Sequence, residues 1–239
     1  MPAPSRRGPD APWFAWLGGA LFAGSLAYFA YAYFVRMGRP AACADGDVLG
    51  PVLANVALFS LFALHHSLLA RTGVKARLTA HISARHERSL YVWVASVLFV
   101  LVCAAWQDLP GRVYVQTGPA VTLHVLAVAA GVWLTARSAA LLDPLELAGV
   151  RQAGGDLGTP EFKVEGPYRR VRHPIYLGWL LMTFGVPDMT WTRAIFAIVS
   201  AIYLAAAIPF EERELTRVFG DRYRRYQQTV RSRLLPGLW

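Results

Sequence analysis

Charge is scarce in this sequence. Of its 239 residues, 24 are Lys or Arg and 15 are Asp or Glu, together 16%, while 55% are hydrophobic and mean hydropathy is +0.36. A water-soluble domain carries about a quarter charged residues, so this balance excludes an ordinary soluble protein and points to long apolar segments solvated by lipid. Cysteine is scarcer still. Cys43 and Cys103 stand alone, and neither Cys-x-x-Cys nor His-Glu-x-x-His spacing occurs. That excludes a disulfide framework and a zinc site, and no metal is expected. Internal repeats and low-complexity tracts are also missing. The residues left between the apolar runs are too few for a separate extramembrane catalytic domain.

What is present is a series of apolar runs: Trp13 to Val35, Val48 to Ala70, Ser89 to Trp106, Pro119 to Leu142, Pro174 to Pro187 and Trp191 to Phe210. A helix needs about 20 apolar residues to cross a bilayer. The reading is an all-α, polytopic integral membrane protein of about six transmembrane helices, with five as the alternative. The last two runs flank Asp188-Met189-Thr190 and form a C-terminal helical hairpin. Its first arm extends only about 21 Å as a helix against a core of about 30 Å, so it is either lengthened by its flanks or partly re-entrant. Residues 1–239 read as a single membrane-embedded domain, with 1–47 a divergent first helix and loop.

The excess of basic charge, +9 net, is distributed by topology. With the N-terminus in the cytoplasm, 19 of the 24 Lys and Arg fall on inner segments and four (Arg36, Arg39, Arg112, Arg193) on outer ones. The remaining one is Arg137, inside a span. Such a bias places both termini in the cytoplasm and makes a nucleic-acid partner unnecessary as an explanation. Arg6-Arg7 before the first run resembles a signal peptide, but the run is longer than such a segment and Arg36 and Arg39 follow it, so the first span is expected to stay. From Glu211 onward Leu215, Val218, Phe219, Tyr223, Tyr226 and Val230 recur at helical spacing among arginines. They define a cytoplasmic amphipathic helix that lies on the inner membrane face or covers an opening there.

Chemistry-bearing residues concentrate at the inner ends of the hairpin. In Tyr168-Arg169-Arg170-Val171-Arg172-His173-Pro174-Ile175-Tyr176-Leu177-Gly178 the proline starts a helix, whose free N–H groups with Arg172 and His173 suit a carboxylate or phosphate. The same residues also serve as topology markers and helix punctuation. Across the hairpin stands Pro209-Phe210-Glu211-Glu212-Arg213-Glu214. Its carboxylates either complement the dipole at the start of the amphipathic helix or bind a cationic group. A ligand with both an amine and a carboxylate fits the two clusters together.

These two motifs, with Phe219-Gly220-Asp221-Arg222-Tyr223, resemble the C-terminal half of the isoprenylcysteine carboxyl methyltransferase and phospholipid methyltransferase superfamily. Three further segments, His65-His66-Ser67, Glu87-Arg88-Ser89-Leu90-Tyr91 and Leu142-Asp143 through Arg151-Gln152, are similar to its NnrU-like branch and to membrane methanethiol S-methyltransferases. The chain departs from that pattern at Pro144, Leu145 and Ala148, where aromatic residues are usual nearby.

The resemblance implies an S-adenosylmethionine-dependent methyltransferase in a bacterial inner membrane, acting on a small thiol or a lipid-like substrate reached from the bilayer. Residues 143–239 would form the cofactor-binding half, with Tyr168, Arg172, His173, Pro174, Tyr176, Gly178, Glu211 and Glu212 holding the cofactor. The thiol must become a thiolate, and His66, Arg137 and Arg172 are the candidates for easing that ionisation. For Arg137 the competing reading is snorkelling to the interface, and for His66 an interhelical hydrogen bond. Alternatives that share the motifs are methylation of a prenylated cysteine or a phospholipid amine, and NADPH-dependent reduction as in membrane sterol reductases. Oligomeric state has no signature in the sequence.

Overall fold

A computed structural model of the chain describes residues 12–41, 48–69, 84–155 and 162–235, with a few isolated positions besides. Helix α1 (Pro12–Tyr31) continues as a π-helical turn, Ala32–Arg36, and is followed by α2 (Leu49–Leu69) and α3 (Ala84–Ala105). Then come β1 (Arg112–Val115), α4 (Pro119–Leu141) and two single-turn helices, α5 (Pro144–Leu147) and α6 (Val150–Ala153). A 3-10 turn, Gly166–Arg169, leads into α7 (Pro174–Phe184), β2 (Asp188–Thr190), α8 (Trp191–Phe219) and α9 (Asp221–Thr229). Helix dominates because hydrocarbon offers no hydrogen bonds, so each spanning segment satisfies its own backbone.

Among the described residues five stretches are long and apolar enough to cross a membrane: Pro12–Arg36, Leu49–Ser67, His86–Ala105, Pro119–Leu141 and Trp191–Phe219. The protein is therefore an all-α, multi-pass membrane protein with five such helices rather than six. The sixth candidate, α7, has 11 helical residues, about 16 Å of helix, and cannot cross alone. Residues 185–187 carry the chain on without helix to β2, which pairs antiparallel with β1. What reads as a bare turn, Asp188-Met189-Thr190, is thus half of a small ribbon on one face of the molecule. Segments 142–155, 162–173 and 211–235 lie at the opposite, basic face.

The lipid-facing surface is apolar in a way no aqueous surface tolerates: Trp13, Leu53, Leu64, Leu123, Leu126, Trp133 and Ile202 are each more than half exposed. Inside, aromatic rings fill the space between α1, α2, α3, α7 and α8. Phe29 stacks on Trp179 at 4.6 Å between centroids, and Trp106 meets Phe196 edge-on at 5.0 Å. Helix α4 packs differently, burying only Gly131 and Ser138. It meets α7 through glycines: a Cβ at Gly178 would fall 2.7 Å from the Gly131 carbonyl oxygen, and one at Gly131 2.6 Å from that of Gly178. Small residues let two backbones approach where no water is available to drive them together. Gly178 is accordingly a packing residue whose missing side chain faces α4.

At the ribbon face, Arg193 is buried at 6% exposure. Its guanidinium donates to the carbonyls of Tyr33 at 2.9 Å, Phe34 at 2.7 Å and Asp188. The first two belong to the π-helical turn region, where the widened ladder turns carbonyls toward the bundle. Counted from the sequence as an outer-face charge, Arg193 is instead an internal clamp.

Helix α8 is the element that builds the opposite face. Its 29 residues reach about 43 Å, longer than a hydrocarbon core of about 30 Å, so the part beyond Phe210 projects from the membrane. It does not end at Phe210 with the apolar run, as the sequence suggests, but continues to Phe219 with Pro209 inside it. Pro209 has no N–H to give to the Ala205 carbonyl, which loosens the helix two residues before the acidic pair. The amphipathic segment is consequently two pieces. Gly220, at φ 57°, ends α8 and starts α9, a conformation that favours glycine. Glu211, Glu212 and Glu214 thus sit in the last third of a long helix, where its dipole does not favour them; capping does not explain these carboxylates.

The candidate active site

The basic-face end of the hairpin is assembled from three chain segments. Residues Arg172 and His173 enter α7 by pairing their backbone N–H groups with the carbonyls of Ser232 (3.0 Å) and Arg233 (2.9 Å). Tyr223, Tyr226 and Val230 form a small satellite core with Phe162, Val164, Leu215 and Phe219. That core fixes α9 to the projecting end of α8, and the Tyr226 hydroxyl donates to the Tyr168 carbonyl at 2.7 Å. The apolar stripe is therefore spent on covering this end of the molecule. Val218 is the exception, 48% exposed.

Between these segments lies Glu212. Its carboxylate takes Arg172 Nε at 2.6 Å and His173 Nε2 at 3.3 Å on one oxygen, and Arg233 Nε at 3.3 Å and Gln227 Nε2 at 3.4 Å on the other. The side chains of Arg172 and Glu212 are only 7% and 6% exposed. Arg172 also donates to the carbonyls of Val230 and Arg231, both at 2.8 Å. Burial alone raises the Glu212 carboxyl, but hydrogen bonds from His173 and Arg172 and their charges outweigh it and hold it at about 2. Glu212 is ionised and fully occupied.

Glu211 is a different kind of carboxylate. It accepts the Tyr176 hydroxyl at 2.7 Å, lies 3.6 Å from His173 Nδ1, and its side chain is 43% exposed. The His173 and Tyr176 rings stack at 5.4 Å, holding both polar edges toward the acidic pair. No side chain caps the amino end of α7, so its dipole end keeps the partial positive charge that suits an anion. The Tyr168 hydroxyl is pushed upward by burial and by the nearby Glu211 charge, which keeps it neutral. An open cavity of about 360 Å³ is lined by Pro209, Glu212, Arg213, Thr216, Gln227 and Arg233. A second, apolar groove of about 480 Å³ lies between α4, α7 and the C-terminal segment, with Leu123, Leu177, Leu181, Phe184 and Leu234 among its walls.

The structure thus brings Tyr168, Arg172, His173, Pro174, Tyr176, Glu211 and Glu212 to one place. His66 lies in the adjoining layer, its Nδ1 2.7 Å from the Tyr91 hydroxyl. Arg137 does not join them: it is exposed on α4. Gly178 is taken up by the α4–α7 contact. Three participants have no motif behind them, namely Gln227, Arg233 and Tyr203, whose hydroxyl pairs with Ser67 Oγ at 3.0 Å. A tyrosine inside an otherwise apolar run was the one sequence signal available for the last. The upstream motifs also meet. Ser89 Oγ donates to the Gly149 carbonyl at 3.0 Å, and a Cβ at Gly149 would come within 2.8 Å of the Ser89 nitrogen.

Fold and site together define a multi-pass membrane protein with a charged pocket built where a short helix begins beside a long one. Residues 55–185 match the family model described as NnrU protein, and the chain belongs to this family. It is 37% identical over 198 residues to methanethiol S-methyltransferase 1 of Bradyrhizobium diazoefficiens, covering 80% of this chain and 69% of that one. It is 36% identical over 191 residues to methanethiol S-methyltransferase of Mycobacterium tuberculosis, covering 77% and 78%. Nurim of Xenopus laevis is 32% identical over 170 residues, covering 63% and 58%. No solved structure matches.

Proposed function

We propose that this protein is a membrane methyltransferase that transfers the methyl group of S-adenosylmethionine to methanethiol, at the inner face of a bacterial cytoplasmic membrane with both termini in the cytoplasm. The observation that carries it is the convergence of the uncapped α7 terminus with two adjacent, unequal glutamates, of which Glu212 lines a cavity of about 360 Å³. The relatives named for methanethiol methylation supply the acceptor.

The donor set fits a zwitterionic amino-acid group. Glu211, half exposed and fixed by Tyr176, is the carboxylate able to take an ammonium. The dipole end of α7, with His173 at its edge, suits a carboxylate. Tyr168 and Tyr176 contribute neutral hydroxyls and ring faces. Arg172 and Glu212 act one step behind, since their pairing fixes the α7 entrance against α9 and the C-terminal segment. When bound, S-adenosylmethionine supplies a methyl group on a sulfonium that is already a strong electrophile, so the protein's task is to position and to ionise the thiol. His66 is assigned to the thiol side of the site. Arg137 receives no part in the chemistry.

Headspace measurement of dimethyl sulfide from purified protein given methanethiol and labelled methyl donor tests this reading. Product formation supports it. A second reading, a lipid-like acceptor, is favoured by the apolar groove of about 480 Å³ opening beside α7. Label transferred to a prenylcysteine or a phospholipid and none to methanethiol would select it. Binding of NADPH without binding of S-adenosylhomocysteine would replace both with a reductase.

A further inference from the structure

The second layer of polar groups, on the membrane side of the acidic pair, bears on how a thiol is ionised there, and the inference rests on the methyl-transfer reading. An alkyl thiol is mostly protonated at neutral pH, as the reference value of about 8.5 for cysteine indicates, yet the thiolate is the nucleophile. A standing cation or anion inside the membrane would carry a large desolvation cost. The site therefore needs a base that is neutral at rest.

The structure has one. Near the end of α2, His66 Nδ1 lies 2.7 Å from the hydroxyl of Tyr91, on the second turn of α3. Tyr91 is buried at 7% exposure, and its ring lies nearly parallel to that of His65, 17° apart at 5.7 Å, with the Arg88 guanidinium 5.0 Å from its centroid. Phe62 packs on the His66 ring at 5.7 Å. Both members of the pair are therefore held by their neighbours. Ser67, next to His66 on α2, pairs with the Tyr203 hydroxyl of α8 at 3.0 Å, about two turns before Glu211. The pair is thereby tied to the helix that carries Glu211: Tyr91 holds His66, and the residue after His66 holds α8.

We propose that Tyr91 is the catalytic residue that takes the thiol proton and that His66 is the positioning residue and proton sink behind it. The S–H bond breaks and its proton passes to the Tyr91 oxygen, while the Tyr91 O–H proton passes to His66 Nδ1. The products are a thiolate and an imidazolium, with no net change in charge. The thiolate pair would form the bond to the methyl carbon as that carbon's bond to the donor's sulfonium sulfur breaks and leaves its pair there as a neutral thioether; the imidazolium later returns its proton through Tyr91 to solvent. The Arg88 guanidinium beside the phenol ring favours the negative charge that passes over the tyrosine oxygen and opposes a lasting positive charge on His66, so the imidazolium is short-lived. The arrangement requires Tyr91 to donate to Nδ1, so His66 at rest carries its proton on Nε2.

The test compares wild type, Tyr91→Phe and His66→Gln as full-length purified proteins, with methanethiol and with a fluorinated alkanethiol acidic enough to be ionised at the assay pH. Both variants should lose about a hundredfold or more in kcat on methanethiol. On the fluorinated thiol they should stay close to wild type, with S-adenosylhomocysteine affinity unchanged. Equal loss on both thiols, or no loss on either, overturns the proposal. Independently of turnover, ¹⁵N spectra of imidazole-labelled protein should show His66 in the Nε2–H tautomer in wild type and mixed in Tyr91→Phe; an Nδ1–H tautomer in wild type overturns it as well. A wild type that binds S-adenosylhomocysteine but methylates neither thiol removes the thiol reading itself, and this assignment with it.

Discussion

Two buried arginines sit at opposite ends of this molecule and do different things. Arg193 gives its donors to three backbone carbonyls of the π-helical region and the ribbon. Arg172 gives one to a carboxylate and two to backbone carbonyls. Carbonyls are fixed by the helix and ribbon that own them, so the first arrangement has one geometry and serves packing alone. Glu212, by contrast, is shared among Arg172, His173, Arg233 and Gln227. It couples the start of α7, the end of α8 and the C-terminal segment through one charged group. Burial of an arginine is thus not by itself a sign of a site; a shared carboxylate beside a half-exposed one is.

The largest effect is expected from Glu212→Ala, which strands a buried guanidinium. Removing one partner of a buried ion pair costs about 3–5 kcal/mol, so this variant should lose thermal stability in detergent together with S-adenosylhomocysteine binding. Arg193→Ala comes next, at about 1–3 kcal/mol for carbonyls left without donors. Its folded fraction should bind S-adenosylhomocysteine as wild type does; a tenfold weaker affinity there would erase the distinction between the two ends. Glu211→Gln should reverse the pattern. At an exposed position it should move stability by less than about 0.5 kcal/mol while lowering cofactor-analogue affinity about tenfold, read by calorimetric titration.

The smallest effect concerns pH. The Glu212 carboxyl is held at about 2 against an ordinary 4.5. A depressed carboxyl contributes stability that is fully present above its unfolded value and is lost as pH falls through the folded one. The difference in melting temperature between wild type and Glu212→Gln should therefore stay flat from pH 7 to 5 and close only below about 4.5. A difference that closes above pH 5 would mean that the pair is not formed as described.

Much of this was legible in the residues. Long apolar runs define spanning helices because lipid leaves the backbone no alternative, and the positions of α1, α2, α3 and α4 agree with those runs to within a few residues apart from the start of α3. The short first arm of the hairpin was visible in its length. The break after Phe210 was misplaced: the change from apolar to amphipathic spacing marks where the helix leaves the membrane, and the helix itself runs on to Gly220. The motif glycine at 178 also makes a close contact with Gly131, forty-seven positions upstream, that no local pattern announces. Nor could spacing separate the two glutamates. Adjacent on the chain, they are about 100° apart around the helix, and only the packing of α9 decides which one is enclosed.

The sequence by itself determined that this chain is helical and membrane-spanning, and that its charge gathers at one face, because solvation of apolar runs and of basic residues is read one residue at a time. Which charges are buried, which carboxylate remains open and which tyrosine touches a histidine were decided only by tertiary structure. Each depends on distances between segments that the chain brings together across the bundle, and on the dielectric that packing creates around them.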